Sequence, residues 1–158
     1  MCIRDSLLSG AKKLKVKSLV FGSPKNRRVD GLSQKEIKEK AQHIFSLLGD
    51  ICEDHSCHLG IEANPKEYSC NFINNLTQAY ELVNTVNHPG FALHIDTSSL
   101  HMNEETPDLL KKIDAKKISH VHLSEPFLAP VNKSGVVPHH NILEHYQKSD
   151  TLDGSQLK

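Results

Sequence analysis

The sequence carries no net charge: 19 lysines and arginines balance 19 aspartates and glutamates. A neutral chain gains no general attraction to nucleic acid or to an anionic membrane, so neither is an expected partner. No apolar run approaches the length of a membrane span. The first residues lack the apolar core of a secretion signal, which makes the cytoplasm the expected compartment. Cys2, Cys52, Cys57 and Cys70 follow neither a redox spacing nor a standard zinc spacing, so reduced thiols are expected. The sequons Asn75-Leu-Thr77 and Asn132-Lys-Ser134 therefore have no secretory context and carry no weight. No repeat by identity and no low-complexity segment is present. No glycine-rich phosphate fingerprint follows an apolar run, which argues against a dinucleotide fold.

What the chain does have is a core's worth of apolar residues and many histidines. Its 158 residues are 37% hydrophobic and 24% charged, with 11 histidines, ordinary proportions for one domain with its own core. Met1–Ser6 joins nothing that follows and reads as a non-native leader, with Leu7–Leu14 as the tail of a helix. Val16–Phe21 is a strand candidate that ends at Gly22-Ser23-Pro24. Ser33-Gln-Lys-Glu36 is a capping box opening a helix to about Asp54, with Ile37, Ala41, Ile44, Phe45 and Leu48 on its apolar face. Gly49 is a weak point inside it. Cys57–Glu62 is a second strand, and a helix is expected from about Asn71 to Asn87. Phe91–Asp96 is a third strand, Thr106-Pro107 opens a short helix to Ile113, and Ile118–Leu123 is a fourth strand. Pro126–Pro138 reads as a loop, His139–Lys148 as a last helix, and residues 149–158 as a disordered or aberrant tail. Strand and helix alternate, so the fold class is α/β with a parallel sheet.

Three of these strands stop on or beside a residue able to hold a metal: Glu62, Asp96 and His122. Side chains alternate faces along a strand, so His94 shares a face with Asp96, and His120 with His122. In a parallel barrel the strand ends line the mouth, which places Glu62, Asp96 and His122 there, with His94 and His120 one layer down as hydrogen-bonding support. Carboxylates and imidazole suit Mn, Mg, Co or Zn. Any one polar residue at a strand end is as readily the start of a solvated loop; three in successive units favour a shared site. His94 and His120 taken singly read as hydrogen-bonded core histidines. Cys52-Glu-Asp-His55-Ser-Cys57-His58 resembles a zinc cluster, but it straddles a helix end and a strand start, so its side chains diverge. Arg27 and Arg28 could hold a phosphate, though such a run is more commonly a solvated loop.

The motifs Leu19-Val-Phe-Gly-Ser23, Leu59-Gly-Ile-Glu62-Ala-Asn64-Pro, Leu93-His-Ile-Asp96-Thr and His120-Val-His122-Leu-Ser-Glu125 together resemble the xylose-isomerase-like barrel superfamily. That superfamily holds sugar isomerases, sugar epimerases and family 2 apurinic endonucleases. The resemblance runs from about residue 7 to 148 and implies a (β/α)8 TIM barrel with a divalent metal at its mouth. It implies Glu62 as metal ligand and proton-transfer residue, Asp96 and His122 as metal ligands, and Asn64, His101 and Glu125 as substrate-binding residues. It departs from the family in three places. Ser99 stands where Asp-x-x-His would put a histidine, with His101 two residues further on, and Leu128 stands where many epimerases have an arginine. The strand supplying a second glutamate is missing: at about 31 residues per unit it falls near Asp153, to which no apolar strand leads.

The expectation is therefore a partial barrel of about four parallel βα units, a fragment that is itself marginal or inactive. Its parent would be a metal-dependent isomerase or epimerase of a small sugar or sugar phosphate, with homo-oligomerisation left open. The alternatives are a zinc endonuclease, a polyol dehydratase and a non-catalytic sugar-binding barrel.

Overall fold

A computed structural model describes residues 10–132 and 135–147. The expected leader, the tail and Lys148 lie outside the described residues. Strands β1 (Ser18–Phe21), β2 (His58–Glu62), β3 (Phe91–Asp96) and β4 (Ile118–His122) form one parallel sheet in the order β1-β2-β3-β4. The helices are α1 (Gln34–Asp54), α2 (Leu76–Val86), α3 (Thr97–Met102) and α4 (His139–Gln147). Four consecutive parallel strands in chain order, connected by helical segments, form a half-barrel, the partial α/β barrel that the alternation implies.

One face of the sheet is apolar and covered. Ile61, Leu93 and Ile95 are at most 1% exposed, and each contributes about 2 kcal/mol by leaving water. Phe45 of α1 stacks on Phe91 at 4.8 Å and meets Phe21 edge-on at 5.6 Å, which seats the helix on the sheet. The other face carries Ser18, Val20, Gly60, Glu62, His94, Asp96, His120 and His122 by alternation. A register irregularity at Leu93/His94 sets His94 beside His120, and Ser119 bonds back to the Leu93 carbonyl at 3.2 Å.

Local chemistry explains the boundaries. The Ser33 hydroxyl accepts from the Glu36 N–H, and the Glu36 carboxylate accepts from the Ser33 N–H at 2.8 Å, the capping box read from sequence. Helix α2 starts at Leu76, later than the expected Asn71. Asn71 and Asn74 spend their side chains on loop backbone, Asn75 caps the helix at 2.9 Å, and Glu105 accepts from the Leu76 N–H. The segment after Thr106 is a 3-10 turn, Pro107–Lys112, in place of the expected α-helix. The unexpected α3 begins directly after β3, with Asp96 as its cap. Gly49 is a close-packing point: a Cβ on Gly90 would overlap the Gly49 carbonyl. Cys52, Cys57 and Cys70 are buried and unbridged, and burial pushes the Cys52 thiol up to about 12.

Candidate metal centre

The carboxyl ends of β2, β3 and β4 bring the expected residues to one place. The register sets Glu62 beside His94 and Asp96 beside His122. One donor atom from each of Glu62, His94 and His122 lies within 4.8 Å of the others. The Glu62 carboxylate is 3.8 Å from His94 Nε2, and Asp96 Oδ2 is 3.7 Å from His122 Nδ1. These gaps are too long for direct hydrogen bonds. Asp96 sits alongside the group with its oxygens in use: Oδ1 accepts from the Ser99 N–H at 2.8 Å and Oδ2 from the Ser124 hydroxyl at 2.6 Å. The sequence assigned His94 to a supporting layer; the geometry groups it with Glu62 and His122.

Burial sets the electrostatics. Desolvation, then the charge of Asp96, pushes the Glu62 carboxyl up to about 7, against the opposing pull of Arg27 and Asn64. Desolvation, then the neighbouring His120, pushes His94 down to about 4. His94 is therefore a neutral imidazole near pH 7, and both its ring nitrogens are buried without a hydrogen-bond partner. Leaving such groups unsatisfied costs about 1–3 kcal/mol. A neutral imidazole with a free lone pair, a partly buried carboxylate and the exposed His122 ring make a donor set that fits a divalent cation. The His94 ring stacks on His120 at 5.3 Å.

The other expected residues take different places. Asn64 is buried and turns inward, donating to the Gly22 carbonyl at 3.0 Å. Glu125 is 4% exposed and accepts from the Val136 and Val137 N–H groups and pairs with His139 at 2.9 Å, so its carboxylate fastens the loop before α4. His101 is exposed and lines an open cavity of about 690 Å³ beyond the strand ends, with Glu67, Glu125 and Phe127. Ser99 is buried on α3. Among the described residues no metal-capable group forms at Cys52–His58. Sequence reasoning assigned no role to Ser124, which joins the ends of β3 and β4, and treated Arg27 as loop surface, whereas it is buried.

Comparison with known proteins follows the same lines. The model of the family described as xylose isomerase-like TIM barrel matches residues 7–150. Inosose isomerase of Bacillus subtilis (strain 168) is 32% identical over 94 residues, which are 58% of this chain and 32% of that enzyme. The crystal structure of the IolI protein with a bound zinc atom superposes with a TM-score of 0.68 at 23% identity, covering 94% of this chain and 55% of that one. An AP endonuclease, family 2, from Brucella melitensis superposes with a TM-score of 0.77 at 21% identity, covering 92% and 56% respectively. The match thus spans about a third of the curated relative and a little over half of the structural ones.

Proposed function

The chain belongs to the xylose isomerase-like TIM barrel family, and from that premise we propose that it carries the metal-binding part of an isomerase or epimerase acting on a small sugar or sugar phosphate. The observation that supports this best is the convergence of Glu62, His94 and His122 within 4.8 Å, with Asp96 beside His122. These four residues would hold a divalent cation, Mn, Mg, Co or Zn. When bound, such an ion polarises a carbonyl and acidifies the neighbouring C–H.

The chain's own part is proton transfer. In the metal-free site burial raises Glu62 to about 7; a bound cation would pull it back toward the ionised carboxylate that a general base needs. Glu62 would abstract the proton from the carbon next to the carbonyl, and a second carboxylate from the rest of the barrel would serve the opposite face. His101, which lines the open cavity beyond the strand ends, would meet substrate hydroxyls. His94, buried and neutral, keeps positive charge out of the site until the cation arrives.

The test is Glu62→Gln, a near-isosteric change. Zinc or manganese affinity, read by titration calorimetry, is expected to fall about a hundredfold, with an unchanged circular dichroism spectrum. Turnover in a full barrel carrying the same change should disappear. Undiminished metal affinity or retained turnover would remove Glu62 from the mechanism.

A further inference from the structure

The loops after β1 and β2 are laced together. The Val29 N–H donates to Asn71 Oδ1 at 3.2 Å, Asn71 Nδ2 to Asp30 Oδ1 at 2.8 Å, and Arg28 Nη1 to the Ser69 carbonyl at 3.3 Å. Under this lacing Arg27 is 6% exposed. Its Nη1 donates to the Glu62 carbonyl at 2.6 Å. Its Nε and Nη2 are buried without a well-formed hydrogen bond, and the Cys70 sulfur and the Glu62 carboxylate are its polar neighbours. A guanidinium buried with two of its three nitrogens unsatisfied is costly to stability. Its well-formed hydrogen bond ends on the backbone of Glu62.

The same loop meets the other end of Glu62. Its carboxylate lies over Gly22, where a Cβ would overlap Oε2. Asn64 spans the two, donating to the Gly22 carbonyl at 3.0 Å and reaching the Glu62 carbonyl at 3.5 Å. The loop that opens at Gly22 and ends at Arg27 therefore holds Glu62 by its carbonyl and leaves room for its carboxylate.

We infer that Arg27 is a positioning residue for Glu62, fixing the end of β2 so that the Glu62 carboxylate is aimed at His94 and His122. This rests on the metal-centre reading above. Arg27 bonds the backbone of Glu62 and none of the cluster's donor atoms. It works through Glu62, so its effect on the ion should vanish when Glu62 can no longer ligate.

A double-mutant cycle on the full chain tests this, with zinc alone as the probe and calorimetry run well below each variant's melting midpoint. Arg27→Met should weaken zinc binding about tenfold when Glu62 is present. In the Glu62→Gln background, where His94, His122 and Asp96 supply the residual affinity, the same change should cost less than about twofold. Arg27→Lys keeps the charge without the fork, should show the same pattern, and covers the case in which Arg27→Met does not fold. Gly22→Ala should give a similar Glu62-dependent loss by displacing the carboxylate. Equal losses in both backgrounds, or none in either, overturn the inference. An unaltered chain that binds no zinc overturns the metal centre and this inference together, whereas zinc binding indifferent to Arg27 overturns the inference alone.

Discussion

Glu62 and His94 face each other at 3.8 Å with opposite responses to pH. The Glu62 carboxyl is raised from 4.5 to about 7. The folded state therefore holds its proton more tightly than the unfolded chain does. The stability this gives is full below 4.5 and is lost as pH rises through about 7, on the order of 3 kcal/mol for so deep a shift. His94 is lowered from 6.5 to about 4. Its contribution is full above 6.5 and is lost as pH falls through about 4. Between about 4.5 and 6.5 the two slopes oppose each other, so the metal-free chain should show little net slope from this pair. Glu62→Gln should unmask a stability that rises with pH in that window, and His94→Gln one that falls. Urea melts in a chelator across the window decide the matter; variants sharing the parent's slope would mean that the pair does not titrate this way. The placing of Glu62, Asp96 and His122 at neighbouring strand ends was legible in the sequence because each closes an apolar run. The place of His94 was not, because it depends on the strand register that sets it beside Glu62. Arg27 was hidden for a similar reason: the residues that cover it lie about forty positions away, across the lacing to Ser69 and Asn71.

At the scale of elements, the ones read correctly announce themselves locally. Ser33 and Glu36 cap α1 reciprocally, and Ser33→Ala should lower stability by about 1 kcal/mol, read by urea melts, without changing zinc affinity. A zinc effect from that substitution would mean that α1 is coupled to the site. Helix α3 was missed because it is only six residues long and starts on the residue that ends β3, which leaves neither apolar periodicity nor a separate cap to read. Asp96 is at once strand end, helix cap and neighbour of His122. Asp96→Asn separates these tasks. Asn caps nearly as well as Asp: its Oδ1 can still accept from the Ser99 N–H, while its Nδ2 would donate to the Ser124 hydroxyl in place of accepting from it, so the melt should move by about 1 kcal/mol. Zinc affinity should nevertheless fall about tenfold or more through loss of the charge. Unchanged affinity would reduce Asp96 to its capping task and leave Glu62, His94 and His122 as the donor set.

At the scale of the molecule, the alternation of strands and helices foretold the half-barrel, yet it also leaves surfaces that the described residues do not close. Strand β1 pairs only with β2 and β4 only with β3, so each presents one unpaired edge among the described residues. The sheet face opposite the helices is open enough that Val20 is 45% exposed, close to the β1 edge. Unpaired parallel edges beside exposed apolar groups invite pairing with another chain. As an isolated polypeptide, these residues should therefore self-associate in a concentration-dependent way, read by sedimentation velocity. A charge at that edge opposes pairing. Val20→Lys should shift the distribution toward monomer in metal-free buffer. Saturating zinc should raise the melting midpoint of the parent chain, by about 2.7 kcal/mol in free energy at a hundred times the dissociation constant. These two readouts separate what the open edge does from what the site does. A parent chain that sediments as a monomer at every concentration would show that the open face and edges are not sticky, whatever the metal centre does.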